Sequence, residues 1–462
     1  MARFVYFADG LVGSLQRTLE LARRLSTRGH DVVVASPVDV TLDAARAGVR
    51  TMHLGALDAL RDELDELPRP GRSNPSPVAI ARWLRAGRAA RRASLADRSV
   101  EHLLDEVRPD LAIVELEYHT AAIACLAHGT PVVLATGFFC TLPTADGPPL
   151  DTSLRPGVDP PADILAAWDA GIAENRRTRR RATWSVSGLA APFRPVRPTT
   201  WNPLDLRAFA RARDLDLDEL MDEEQWLRPF ALDGMPIVSF TPSTLEFATP
   251  PDRWHAVGSM LPEPSNAVDR TTESDRTALT GLRARRETGE RRPLVFVALG
   301  TYWGAAAPLL RTILDAVAPR LDLDVVVGLG GRTDRSVLGP VPEHVTLLDW
   351  APQVELLTDA DVAVVHGGVT TLTECAAAGV PMVCFSTHTN EQDGNVARAV
   401  HAGIAVDLDH RTVDASEVAA AIDRQLTGDA TRAATEGVAS AVAAERAHEP
   451  AVALLEQLAA GD

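Results

Sequence analysis

The sequence predicts an α/β protein built from two doubly wound domains, and three observations carry that prediction. A chain of 462 residues is too long to fold around one core. Short apolar runs alternate with helical patterns, which is the mark of βα units feeding parallel sheets. A polar stretch over residues 262–290, rich in Arg, Glu and Pro, separates two such series. The expected organisation is a first domain at 1–261, a linker at 262–290, a second domain at 291–432, and a helical tail at 433–462 placed to pack back on the first domain.

In the first domain, the apolar run from Phe4 to Ala8 predicts a strand, and the spacing of Leu15, Leu19, Ala22 and Leu25 predicts a helix to Thr27. On that helix Arg17, Glu20, Arg23 and Arg24 are expected to face water. Gly29 ends it, and strands follow near 31–36, 111–114, 131–135 and 237–241. The second domain shows strands near 294–299, 324–329, 345–348, 362–365, 382–385 and 404–406, each followed by a turn or helix. The tail is rich in Ala, Leu and Glu, and Pro450 breaks or kinks it.

Composition excludes several functions. Sixty-three acidic against 46 basic residues give a net charge of −17, which argues against a nucleic-acid partner. Every base is arginine, so there is no Schiff-base lysine and no phosphate-loop lysine. No apolar run approaches the length of a membrane span. The opening Met1-Ala-Arg-Phe-Val-Tyr-Phe-Ala-Asp9 reads as a strand rather than a secretory signal. Cys125, Cys140, Cys375 and Cys384 show neither a CxxC pair nor zinc spacing, as expected of reduced core residues in a cytoplasmic protein.

The chemistry concentrates between Trp350 and Gln392. Val362-Ala-Val-Val-His366-Gly-Gly368-Val-Thr370-Thr371 reads as strand, tight turn and helix start. Glycines let the backbone approach a ligand, and the amides and dipole at a helix start favour anions. His366 is placed to donate to a phosphate oxygen, with Thr371 adding a hydroxyl. Gly300-Thr301 ends a strand in the same way, and Arg332 lies where it can approach a diphosphate. Trp350 offers a flat face to a nucleobase, with Gln353 beside it. Glu374 is placed for ribose hydroxyls, and Glu391 with Gln392 for sugar hydroxyls. Together these groups suit a nucleotide-sugar and require no metal ligand.

This block resembles the donor-binding signature of the family 1 (UDP-glycosyltransferase-like) enzymes, and looks closest to bacterial members that glycosylate macrolides and other specialised metabolites. The resemblance is strong over roughly 290–430 and collinear in the first half. It implies the GT-B fold, two Rossmann-like domains facing across a cleft. It also implies inverting, metal-independent transfer, with a UDP- or dTDP-linked sugar as cosubstrate and no further cofactor. Carried over by position, Trp350 stacks on the base, Gln353 lies near base or ribose, and His366, Gly368 and Thr371 hold the diphosphate. Glu374 holds the ribose, and Glu391 and Gln392 the transferred sugar. Thr370-Thr371 replaces the usual Asn-Ser, and Glu391 the usual aspartate.

The acceptor side departs from the pattern. Where the family carries its base histidine, this chain has Ser14, and Glu115 stands where the orienting aspartate belongs. Serine takes no proton at neutral pH, so the base must be another group. Glu115 is the first choice, with Ser14 as a hydrogen-bonding partner to it or to the acceptor, and His119 the second; Glu117 and Asp9 stand nearby. The expected function is transfer of a hexose to a small acceptor bound mostly by residues 1–260. The alternatives are a sugar-nucleotide epimerase and a non-catalytic homologue that binds sugar nucleotides.

Overall fold

The structure is a computed structural model and describes the chain except residues 11, 56–75, 145, 185–190, 201, 222–231, 233, 290, 301–305, 332, 389–390 and 462. Two parallel sheets organise it. The first contains β1 (Arg3–Phe7), β2 (Asp31–Ser36), β3 (Arg50–His53), β4 (Leu111–Glu115), β5 (Val132–Thr136), β6 (Ile237–Ser239) and β7 (Trp254–Ala256) in the order β3-β2-β1-β4-β5-β6-β7. The second contains β8 (Leu294–Ala298), β9 (Asp324–Gly328), β10 (Val345–Leu348), β11 (Val362–Val365), β12 (Met382–Cys384) and β13 (Ala405–Asp407) in the order β10-β9-β8-β11-β12-β13.

Both faces of each sheet are covered, which explains the unbroken apolar runs in the strands. In β1, Phe4 and Tyr6 enter one core with Val32, Val34, Leu111 and Ile113. The alternate residues Val5 and Phe7 enter the opposite core with Val33, Ala35, Ala112 and Val114. The second sheet repeats the division, with Leu294 and Phe296 on one face and Val295 and Val297 on the other. The edge strands β3 and β7 escaped the sequence reading. Arg50-Thr-Met-His53 has both ends exposed, and Trp254-His-Ala256 is only three residues long.

Three expectations need correction. The stretch read as a linker carries a helix, Glu273–Thr288, capped by a reciprocal pair between Thr272 and Asp275. Its Leu279 and Leu282 are buried in the second core; two large apolar residues in sixteen left too weak a periodicity to read. Glu20 was expected to face water but is 2% exposed, neutralised by Arg23 and Arg24 on its own helix, Val12–Thr27. Arg17 likewise turns inward, to the buried Glu115.

At the other end of the chain the helices Asp429–Ala447 and Pro450–Ala460 are separated by Glu449, whose φ is 45°. Pro450 begins the last helix, where its missing N–H costs nothing. Ala451, Val452 and Leu455 of that helix are fully buried against the first sheet. The lobes also meet directly: Phe139, Leu150 and Leu245 from the first half of the chain pack into the second core. The Gly394 amide donates to the Leu150 carbonyl at 3.0 Å, where a Cβ would lie 2.1 Å from that oxygen, so only glycine fits.

Candidate active site

Both sheets reverse their direction of winding at one place, and that place fixes a crevice at the carboxyl ends of the strands. In the first sheet the reversal falls between β1 and β4, in the second between β8 and β11. Asp9, Glu115 and Glu117 stand at the first crevice, Gly300 and His366–Gly368 at the second. The crevices face each other. Gln16 Nε2 donates to Glu374 Oε1 at 3.2 Å, and a Cβ on Gly13 would lie 3.3 Å from the Thr370 hydroxyl. The space between is lined from the first lobe by Gly13, Gln16, Arg17 and Gly137, and from the second by Val369, Thr370, Thr373 and Glu374.

In the second crevice the chain leaves β11 at His366, turns through Gly367 at φ 78°, and enters the helix Val369–Ala378. Asn395 Nδ2 holds the turn by donating to the Gly367 carbonyl at 3.1 Å. Gly368 caps the helix without any side-chain hydrogen bond, so the first amides, those of Val369, Thr370 and Thr371, face the cleft end of the helix dipole. The His366 ring lies between two glycines. A Cβ on Gly300 would come 2.7 Å from Nε2, and one on Gly368 would come 2.6 Å from the same atom. Burial lowers the imidazole to about 4, against a hydrogen bond with the Ala298 backbone, so the ring is neutral at pH 7.

Glu374, one turn into the helix, is 4% exposed. It receives Gln16 on one oxygen and the Gln353 amide on the other, and Gln353 also donates to Thr371 Oγ1 at 3.1 Å. Burial raises its carboxyl to about 7, against the Gln353 hydrogen bond. Trp350 is half-buried and belongs to neither core of its lobe. Its backbone amide donates to Asp275 Oδ2 at 3.3 Å and its ring has the Arg270 guanidinium 5.6 Å from the centroid. Glu391 opens the helix Gln392–His401, half-buried and with its carboxyl raised by burial. Gln392 is committed through its carbonyl oxygen to the Thr387 amide at 3.0 Å. Thr301 and Arg332 lie outside the described residues.

The first crevice assigns its residues differently from the sequence reading. Glu115 is 3% exposed and fully engaged. Tyr6 Oη donates to Oε1 at 2.8 Å, Thr18 Oγ1 to the same oxygen at 3.3 Å, and Arg17 Nη2 to Oε2 at 3.1 Å. Burial raises this carboxyl and the guanidinium pulls it back; conversely burial works against the Arg17 cation, and Glu115 keeps it charged. Glu115 therefore anchors Arg17 over Gly137, where a Cβ would lie 2.6 Å from Nη1. Ser14, 4% exposed, donates its hydroxyl to Asp9 Oδ1 rather than to Glu115. His119 begins the helix His119–His128 and is 3% exposed.

Glu117 is the group the sequence reading undervalued. It sits two residues past the end of β4, half-buried, and burial raises its carboxyl to about 7, with the charges of Asp9, Glu115 and Glu391 acting in the same sense and Arg17 against them. Gln16 and Arg17 were missed as site residues because the helical pattern marks only the apolar side. Their position one turn from Ser14 was the available signal. His388, Asp409 and His410 bring ligand-type atoms within 4.8 Å of one another. The His388 nitrogens already meet Asp393 and the Arg411 guanidinium, each at 3.0 Å.

Two facing parallel-sheet lobes with opposed crevices define the GT-B fold, and comparison with known proteins gives the same fold. Residues 311–458 match the family described as erythromycin biosynthesis protein CIII-like, C-terminal domain. Demethyllactenocin mycarosyltransferase of Streptomyces fradiae is 26% identical over 98% of this chain and 85% of its own length. NDP-glycosyltransferase YjiC of Bacillus subtilis is 29% identical over 28% of this chain and 33% of its own length. Among solved structures, the glycotransferase of kitacinnamycin superposes with a TM-score of 0.64 at 18% identity, covering 99% of this chain and 98% of that one. The glycosyltransferase VinC, solved with dTDP, gives 0.59 at 18% identity over 100% of both. The chain has the GT-B fold and is similar along its whole length to a natural-product glycosyltransferase. It is a glycosyltransferase of the natural-product type.

Proposed function

We propose that the protein transfers a hexose, with inversion and without a metal ion, from a UDP- or dTDP-linked sugar to a small natural-product acceptor. The observation that carries this reading is the second crevice: a neutral imidazole held between Gly300 and Gly368, beside a helix start whose amides no side chain caps. Charge grows on the diphosphate as the bond to the anomeric carbon breaks. Fixed amide dipoles and a neutral N–H donor aimed at that charge need no reorganisation in the transition state, and such preorganisation is usually the largest catalytic contribution.

The remaining parts follow the nucleotide outward. Trp350 takes the base, Glu374 and Gln353 the ribose, Thr370 and Thr371 the phosphates, and Glu391 with Gln392 the hexose. The acceptor occupies the first crevice, where Gly13, Arg17, Gly137, Phe240 and Met260 line the cleft. VinC, solved with dTDP, supports a dTDP-linked donor, and the mycarosyltransferase supports a macrolide-like acceptor. Mass spectrometry of the protein with a panel of UDP- and dTDP-sugars, in the presence of EDTA, tests the reading. Retained or slowly hydrolysed donor is expected. Epimerised sugar with no nucleoside diphosphate released, or turnover only with added divalent metal, would overturn it.

A further inference from the structure

We infer that Glu117 is the general base of this chain, taking the proton of the acceptor hydroxyl that Ser14 cannot take. The inference rests on the transferase reading and deepens it.

Geometry removes the other candidates first. Glu115 is filled by Tyr6, Thr18 and Arg17. Ser14 gives its proton to Asp9 and has no affinity for another at neutral pH. His119 is 3% exposed, against the half-buried Glu117 two residues before it. Glu117 lies in the turn after β4, at the point where the first sheet reverses direction, which is where a ligand of such a sheet binds. Among the described residues no hydrogen-bond donor is recorded on its carboxylate, so its lone pairs remain available to a substrate proton.

Each element around Glu117 contributes a charge. Asp9 follows β1, Glu115 ends β4, Arg17 projects from the first helix, and Glu391 comes across the cleft from the second lobe. Arg17 is committed to Glu115, so the net field on Glu117 is negative. Burial and that field bring its carboxyl to about 7, near the operating pH at which a base combines proton affinity with a substantial ionised fraction. Glu391, the group assigned to the sugar, acts on this base electrostatically from the other lobe.

The step balances without another reactant. The acceptor oxygen forms a bond to the anomeric carbon of the nucleoside diphosphate sugar while its proton passes to Glu117. The bond from that carbon to the diphosphate oxygen breaks, and its electron pair leaves on the phosphate. After product release the carboxylic acid returns its proton to water.

The test compares the wild-type protein with Glu117→Gln and Glu117→Asp, using dTDP-glucose and UDP-glucose as donors and water or simple alcohols as acceptors. The wild type is expected to lose turnover about tenfold per pH unit below 7, because the protonated carboxyl accepts nothing. Glu117→Gln should lower turnover by about 10²–10⁴ and abolish that limb, while dTDP and UDP bind as before by calorimetry. Glu117→Asp should keep an acid limb, which separates lost chemistry from lost folding. Equal turnover and an unchanged pH profile in Glu117→Gln would overturn the assignment and leave the transferase reading standing. A wild type that binds the nucleotides yet turns over neither water nor any alcohol would overturn the assignment and the transferase reading together. A wild type that binds neither nucleotide would instead remove the transferase reading beneath it.

Discussion

Replacing Glu374 by glutamine should make the ligand-free protein more stable at alkaline pH and leave it nearly unchanged in acid. The wild-type carboxyl is lifted from 4.5 to about 7 by burial, against a hydrogen bond from Gln353. Between those values the folded protein binds more protons than the unfolded chain, so stability falls as pH rises through the interval and the whole cost is present above about 7. The difference between 4.5 and about 7, at about 1.4 kcal/mol per pH unit, corresponds to about 3 kcal/mol at most. The two amide donors limit what glutamine recovers, because one of them will meet its NH₂. A gain of about 1–3 kcal/mol at pH 8 is therefore expected. Urea unfolding at half-unit steps from pH 4.5 to 8 measures it. Glu117 and Asp151 at about 7 and Asp407 at about 6 titrate in the same window in both proteins, so the difference curve isolates residue 374. Parallel curves, or a variant less stable at pH 8, would refute the reasoning. The same logic predicts that nucleotide binding releases a proton near pH 7, since ribose hydroxyls donating to Glu374 favour its ionised form.

Further predictions concern the donor crevice and the contact between lobes. Gly368→Ala introduces no backbone strain at φ −63° but puts a methyl 2.6 Å from His366 Nε2. Displacing the ring should cut turnover at least about tenfold, at a stability cost of about 1–3 kcal/mol, read by kinetics and thermal melting together. Trp350→Ala should weaken dTDP binding by about 1–3 kcal/mol, the worth of one stacked base, with little change in melting temperature because the indole lies outside both cores. Arg398 is 3% exposed, ion-paired with Glu246 at 3.7 Å across the lobes and stacked on Phe139 and Phe247. Arg398→Met alone should cost about 3–5 kcal/mol by stranding a buried carboxylate, and Glu246→Gln added to it should recover much of that in urea unfolding.

The second lobe was legible because its chemistry is contiguous in sequence. Trp350 to Gln392 spans two strands and their turns, and the strands, buried on both faces, announce themselves as Val-rich runs. Its helix at 273–288 was hidden because charge covers most of its surface. In the first lobe the crevice is gathered from Asp9, Arg17, Glu115, Glu117 and Gly137, far apart in the chain. Only the topology of β1 and β4 brings them together. Whether Glu20 faced water or Arg23 and Arg24 could not be read from helical spacing, since an ion pair buries a charge that hydropathy counts as exposed. The partners of Glu115 were hidden for the same kind of reason: Tyr6, Thr18 and Arg17 converge on it, and no local pattern records that convergence.

The most direct test is a crystal structure of the protein soaked with dTDP or UDP in the presence of EDTA. The nucleobase should lie on the Trp350 indole, and the diphosphate should accept from the amides of Val369–Thr371 and from His366, with no ion between its oxygens. A nucleotide bound elsewhere, or phosphates bridged by a metal ion carried through the chelator, would contradict it.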